Sequence, residues 1–198
     1  MSRLIVTAAL VLMAGPSLAA VTPPCGLWER SRFELLPGNF DCQYRFDAAG
    51  SLDELTVLVT LRDCFDTPVE GCNVRATLSA GPGTAALCGC ESLEQVQTSG
   101  PGGLVEFHFS RIGGWGTADV TLTYLCAGEI DLGTLEVPFT TPDLNGSCEP
   151  GASTNIVDLG IFANGLSAYF PASDFDCSGD INIVDLGIWA SGLDAGCD

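Results

Sequence analysis

Six oxygen-bearing residues crowd a short stretch near the end of the chain: Asp174, Asp176, Ser178, Asp180, Asn182 and Asp185. The first five fall on alternate positions, Gly179 stands between two of them, and Asp185 is the twelfth residue counted from Asp174. A calcium ion takes six to eight hard oxygen ligands at about 2.3–2.6 Å. Alternate residues of a tightly curved loop turn their side chains inward, and Gly179 permits the sharp bend. Asp185 falls in the first turn of a following helix, where it can close the shell. The chemistry implied is coordination of Ca2+, not proton transfer or nucleophilic attack.

The elements that must position these groups are duplicated. Residues 155–166 and 182–193 agree at ten of twelve positions, at an offset of 27. Such self-similarity marks a repeated structural unit. The first copy has its own acidic approach, but Asp143 and Asn145 lie too far upstream of Asp158. An insertion of about four residues within Cys148 to Ala152 accounts for the difference.

The spacing is that of an EF-hand-type loop, with two departures. The closing ligand is Asp, not Glu, and Pro142 and Pro171 leave no room for an entering helix. A loop with only an exit helix, duplicated and closing on Asp-Leu, resembles the type I dockerin domain over residues 142–193. That resemblance implies calcium held by the side chains of Asp174, Asp176, Ser178 and Asp185, by the Asp180 carbonyl, and by Asn182 through a water. It carries over to Asp143, Asn145, Ser147 and Asp158, with the Ser153 carbonyl, in the first copy. It also implies a cohesin-type partner, chosen by Ile156, Val157, Ile183 and Val184. These four apolar residues read either as a docking face or as core.

The helices look weak by themselves. Ile156, Leu159, Phe162, Ala163 and Leu166 form one apolar stripe, and Ile183, Leu186, Trp189, Ala190 and Leu193 its copy. Gly160 and Gly187 interrupt them at up to about 1 kcal/mol each and suggest close approach between the two helices. Gly165 and Gly192 are placed to stop them. Helices this short do not hold alone in water, so folding of the tail is expected to depend on calcium.

The chain carries 25 acidic residues, seven arginines and no lysine, for a net charge of −18. From residue 112 onward there are thirteen acids and no basic residue. Such a field repels nucleic acid and anionic membranes and favours a cation. Residues 1–19 read as a secretion signal: Arg3, an apolar run over 4–13, and Ser17-Leu18-Ala19 as cleavage site. The run is too short to span a bilayer. The expected localisation is secreted or cell-surface. Ten cysteines in an exported chain this short read as disulfides. Cys64 and Cys72 flank a turn and form a plausible pair. A bond among Cys148, Cys177 and Cys197 could fasten the duplicated units. Zinc at Cys88-Gly-Cys90 fits poorly.

Residues 21–50 are irregular, with a strand or two expected. From residue 51 the pattern is β. Leu55–Leu61, Val74–Leu78, Leu104–Phe109, Val120 to Tyr124 and Leu135–Phe139 alternate apolar and polar residues. Turn signals separate them at 66–68, 81–83, 99–103 and Gly113-Gly114. The expected class is mainly β, a β-sandwich over residues 20–141, then a small helical calcium module over 142–198. Thr140-Thr141-Pro142 is a short junction, so the two parts should sit close. The stretch 50–140, with Pro68-Val69-Glu70-Gly71 and Gly114 to Val120, is similar to bacterial immunoglobulin-like domains of the invasin/intimin type, which are adhesive or spacer modules. His108 should face solvent, and no nucleophile has an evident base. Trp28 and Trp115 could stack on sugar, or belong to the core. The sequence thus indicates a non-catalytic exported protein whose tail docks onto a cohesin-like protein or other surface scaffold. Calcium that only rigidifies the tail, or a role in polysaccharide binding or breakdown, are the alternatives.

Overall fold

The structure, a computed structural model, describes residues 30–35, 42–126, 128–150, 153–193 and 195–197. The signal segment, Cys25 and Trp28 lie outside the described residues. Among the described residues nine strands build two sheets. β1 (Arg32–Leu35), β3 (Leu55–Thr60) and β7 (Leu104–Phe109) form one, in that order. The other runs β2 (Tyr44–Arg45), β9 (Ile130–Thr140), β8 (Ile112–Tyr124), β4 (Asn73–Ala80), β6 (Glu94–Thr98), with β5 (Ala86–Gly89) on the first half of β8.

Period-two alternation sets which face is buried. Leu55, Val57 and Val59 of β3 and Val105, Phe107 and Phe109 of β7 point inward. They meet Val74, Ala76 and Leu78 of β4 and Val120 and Leu122 of β8 across the sandwich. Thr56 and Thr60 are half-buried, while Glu106 and His108 are exposed. Every β stretch marked by alternation is a strand here. β6 escaped that test because it is Glu-Gln-Val-Gln-Thr, with one apolar residue. It pairs with β4 on one side at the sheet edge, where polar side chains protect against unwanted pairing.

Gly113 and Gly114 do not make a turn. They lie inside β8, facing β5 in the register Cys88↔Gly113 and Leu87↔Gly114. Gly114 has φ 102°, open to glycine without strain, and its N–H donates to the Asp143 carbonyl at 2.8 Å. A Cβ at Gly113 would collide with the Asp143 carboxylate and the Cys88 and Cys148 sulfurs. The pair marks a close backbone approach, and what approaches is the first acidic loop.

The tail continues directly from β9. Thr140 and Thr141 are fully buried; Thr140 Oγ1 donates to the Ala172 carbonyl at 2.6 Å. Helix α1 is Ile156–Gly165 and α2 is Ile183–Ser191, with a short 3-10 turn at Pro171–Ser173. Leu144, Phe162, Ala172, Phe175 and Trp189 make a second apolar cluster. Phe162 stacks on Phe175 and Trp189 with centroids 6.3 and 6.2 Å apart. Trp115 of β8 closes its edge against Phe170 at 4.8 Å, edge-on. Trp115 therefore joins the two parts as a half-buried edge of this cluster.

The expected apolar stripes are the buried faces only in part: Phe162 and Trp189 are buried, and Leu159 and Leu186 pack against them. Ile156, Ala163 and Leu166 are exposed, as are Ile183, Ala190 and Leu193. What faces inward is Asp158, Phe162 and Gly165 in α1, and Asp185 and Trp189 in α2 with Gly192 just beyond. Each inward face begins on a carboxylate, which a hydrophobicity pattern does not count. The glycine roles are also exchanged. Gly160 and Gly187 are exposed with nothing near a notional Cβ. Gly165 instead packs on Ser173 and Ile181, and Gly192 on Pro142. Each helix end thus rests on residues of the other repeat's approach: Pro142 precedes Asp143 and Ser173 precedes Asp174. Trp189 Nε1 donates to the Pro142 carbonyl at 3.1 Å in the same crossing.

The disulfides differ from the expected local pairs. Cys72 bonds Cys126, and not Cys64, which is itself in a disulfide. Cys148, Cys177 and Cys197 do not bond one another. They bond Cys88, Cys42 and Cys90, all before the tail. The thiols of Cys88 and Cys90 are spent in these bonds and offer no zinc ligand.

Candidate metal centre

Each acidic loop is assembled by the helix that follows it. Asn155 and Asn182 are N-caps whose Oδ1 accepts from the N–H of Val157 at 2.9 Å and Val184 at 2.8 Å. Asp158 and Asp185 return the bond, each Oδ2 accepting from its cap's N–H at 2.8 Å. This reciprocal box satisfies two N–H groups that a helix start leaves open. It also holds each carboxylate at the positive end of a helix.

The other oxygen of each closing Asp reaches back to the loop start. Asp185 Oδ1 accepts from Phe175 N at 2.7 Å and Asp176 N at 3.2 Å. Asp158 Oδ1 accepts from Asn145 N at 2.9 Å. The opening carboxylates curl over the loop in the same way. Asp174 accepts from Ser178 N at 3.0 Å and Gly179 N at 2.9 Å; Asp143 accepts from Ser147 N at 3.1 Å and Cys148 N at 3.0 Å. Position by position, Asn145 matches Asp176, Ser147 matches Ser178, and Cys148 matches Gly179.

The backbone repeats as well. Gly146 and Cys148 have φ 61° and 45°; Cys177 and Gly179 have 58° and 85°. Beyond the insertion the loops rejoin. Ser178 Oγ donates to the Asp180 carbonyl at 2.9 Å, and Ser147 Oγ donates to the Ser153 carbonyl at 3.5 Å. Asp180 is exposed, and its carbonyl also accepts from Asn182 Nδ2 at 3.3 Å.

Asp143, Asp158, Asp174 and Asp185 are all at most 2% exposed. One carboxylate oxygen each from Asp174, Asp176 and Asp185 lies within 4.8 Å of the others. Two unit charges at that separation repel by about 3–4 kcal/mol at an effective dielectric of about 20. No residue after Arg111 is basic. The sandwich lends one cation, Arg45, which senses Asp176 but is held by Asp53 at 3.5 Å. A divalent ion fits the oxygens that remain: hard donors, close enough to share one centre.

In the first loop, Asn145 Oδ1 is buried and has no hydrogen-bond partner. A buried acceptor left alone is costly, and this one stands where the second loop has the Asp176 carboxylate. Burial is the largest influence on Asp143 and lifts its carboxyl above the ordinary value, against the N–H groups of Cys148 and Ser147. The hydrogen bond from Ser178 holds the Asp176 carboxyl below it.

Ile156 and Ile183 are each 76% exposed, and Val157 and Val184 are 54% and 51% exposed. They are not core. Cap geometry pins them: each Ile-Val pair opens its helix, immediately before the closing Asp. His108 also faces outward, 3.3 Å from Glu54 and 3.6 Å from Glu106.

Several contributors were not singled out from sequence. Tyr169 donates its hydroxyl to Asp174 Oδ2 at 2.8 Å, and Gln43 Nε2 donates to the Asp174 carbonyl at 2.9 Å. Nothing in the repeat marks them, since neither has a counterpart in the first copy. Leu144 and Phe175, buried one residue after each opening Asp, could have been found by aligning the loops. The cross-links had a signal too. Three cysteines in the tail cannot all pair among themselves.

No protein-family model matches the chain, and no curated protein matches it. Among solved structures it is similar to the Yersinia pseudotuberculosis adhesin InvE, at 18% identity over 63% of this chain and 28% of that one, TM-score 0.36. It is similar also to a C-terminal 282-residue fragment of intimin, in complex with the intimin-binding domain of its translocated receptor, at 21% identity over 55% and 33%, TM-score 0.36. A third is MtrC from Shewanella baltica OS185, at 12% identity over 74% and 28%, TM-score 0.25. The chain spans a third or less of the length of each. Among the described residues no helix is long and apolar enough to cross a membrane.

Proposed function

We propose that the tail binds two calcium ions and that the loaded tail is a dockerin-like docking module on an exported, immunoglobulin-like β-sandwich. The observation that carries this reading is the convergence of oxygens from the buried Asp174 and Asp185 and the half-buried Asp176, with no cation of the tail's own beside them. Asn145 Oδ1 supports the first site in the same sense. Asp174, Asp176, Ser178 and Asp185 would hold one ion with the Asp180 carbonyl and, through water, Asn182. Asp143, Asn145, Ser147 and Asp158 would hold the other with the Ser153 carbonyl. The ion supplies positive charge; the chain's own residues supply the cap bonds that fix each Ile-Val pair. Those exposed pairs are the surface offered to a cohesin-type partner at a cell surface or scaffold.

Calorimetric titration of the oxidised, full-length protein with calcium is expected to give two sites. Immobilised cohesin is expected to retain it in calcium, to release it in chelator, and to fail with Ile183→Asp/Val184→Asp. Absence of calcium binding refutes the metal assignment, and calcium-independent capture refutes the docking assignment. A second reading, calcium as a stiffener alone, is favoured by the three disulfides that already seat the tail. It predicts two sites and no capture.

A further inference from the structure

The described part of the chain has six arginines to offset its acids. Three are committed elsewhere on the sandwich. Arg45 is held by Asp53, Arg75 Nη1 by Glu129 at 3.1 Å, and Arg111 by Glu91 at 3.5 Å and by the Ala48 carbonyl at 2.8 Å. The other three, Arg30, Arg32 and Arg62, line a single cavity of about 700 Å³ on the outer face of the three-stranded sheet. Arg62 is partly engaged, with Nη1 donating to the Asp66 carbonyl at 2.8 Å and Nε 3.9 Å from its carboxylate. Arg30 and Arg32 form no ion pair among the described residues, in a chain where acids outnumber bases by more than three to one.

Strand register orders the rest of the surface. Arg32 stands opposite Thr60, and Glu34 opposite Leu58, across β1 and β3. Cross-strand neighbours on one face are close enough to touch a common ligand. Moving from the arginines, the face passes over a hydroxyl and an apolar side chain toward Glu106 and His108 on β7, opposite Leu58 and Thr56. Cation, hydroxyl, apolar patch and carboxylate therefore follow one another along one open surface.

We infer that this cavity is a binding site for an acidic saccharide, a sugar chain carrying a single carboxylate or sulfate per bound unit. Three guanidiniums against Glu34 and Asp66 leave one net positive charge, which matches one anionic group. A free amino acid, being neutral overall, leaves that charge unmatched. A nucleic acid is repelled by the molecule's net charge. The planar fork of Arg suits the two oxygens of a carboxylate or sulfate. Glu34 and Asp66 accept from sugar hydroxyls, and Leu58 meets the apolar face of a ring.

The test is titration of the oxidised full-length protein, in chelator so that the tail's metal chemistry is silent. The probes are trigalacturonate, a monosulfated disaccharide and a neutral glucose trisaccharide. At least one acidic probe is expected to bind, more weakly as salt rises, and which of them binds distinguishes carboxylate from sulfate. The neutral probe should not bind. Arg30→Ala/Arg32→Ala is expected to lose about tenfold or more in affinity, with an unchanged unfolding midpoint. Arg32→Lys keeps the charge, loses the fork, and is expected to fall between. Failure of both acidic probes, equal binding of the neutral one, or full affinity in both variants overturns the inference.

Discussion

Replacing Asp185 with Ala separates what the carboxylate does for the fold from what it does for the ion. Its two oxygens accept three backbone N–H groups, from Phe175, Asp176 and Asn182, at a fully buried position. Truncation leaves all three donors without a partner. A buried unsatisfied donor costs about 1–3 kcal/mol, and water entering the space left behind reduces the sum. In chelator we expect a loss of about 3–5 kcal/mol. With calcium a hundredfold above its dissociation constant, the ion adds about 2.7 kcal/mol to the wild type. The variant forfeits that as well, so the gap between the two proteins should widen by about this amount. Denaturant unfolding followed by tryptophan emission reads both numbers. Trp189 lies one turn beyond Asp185, buried and bonded to the Pro142 carbonyl, and Trp115 edges the same cluster. A loss below about 1 kcal/mol in chelator would show that the three bonds do not hold the tail. A gap that calcium leaves unchanged would show that Asp185 does not ligate.

The remaining expectations concern packing, cross-links and pH. Gly192→Ala places a Cβ 2.6 Å from Pro142 Cγ and should destabilise by about 1–3 kcal/mol. Gly187→Ala meets nothing and should stabilise α2 by up to about 1 kcal/mol; a reversed order in thermal melts contradicts the assigned crossing. Non-reducing peptide mapping should recover Cys42–Cys177, Cys88–Cys148 and Cys90–Cys197, and a Cys148–Cys177 peptide would disprove the clamp. Opening Cys88–Cys148 by paired Ser substitutions should cost about 2–4 kcal/mol in chelator, seen as a lower denaturant midpoint. In chelator, the raised carboxyl of Asp143 binds its proton more tightly in the folded than in the unfolded chain. Its contribution is complete below the ordinary carboxylate value and lost as pH rises through the raised one. Wild type should therefore gain more stability than Asp143→Asn on mild acidification, and parallel profiles count against that burial effect.

The parts read best from sequence are those where one residue type answers to one constraint. Alternation in β3 and β7 marked the core face because each strand has one wet side. The oxygen spacing of the second loop singled out Asp174, Asp176 and Asp185, whose carboxylates the fold brings within 4.8 Å of one another, although Ser178 and Asp180 on the same alternation are exposed. The first loop could be aligned through its insertion because Asp158 and Asn155 fix the far end. Misreadings arose where one signal serves two causes. Gly113-Gly114 punctuates a chain equally well as a turn or as room for Asp143. The helical stripes left Ile156 and Ile183 open between core and docking face because hydrophobicity does not say which side is wet, whereas Asp158 and Asp185 were the buried anchors. Disulfide partners depend on the packed tertiary structure, and spacing alone favoured the local pair Cys64 and Cys72 over Cys72 and Cys126.

Cys148 and Cys177 sit within the two acidic loops, and their bonds run to β5 and to the segment before β2. A pull exerted on the tail would therefore be delivered to the sandwich at its loops through sulfur, bypassing the Thr140–Pro142 connection. Tension cannot peel α1 and α2 away one after the other while those bridges last.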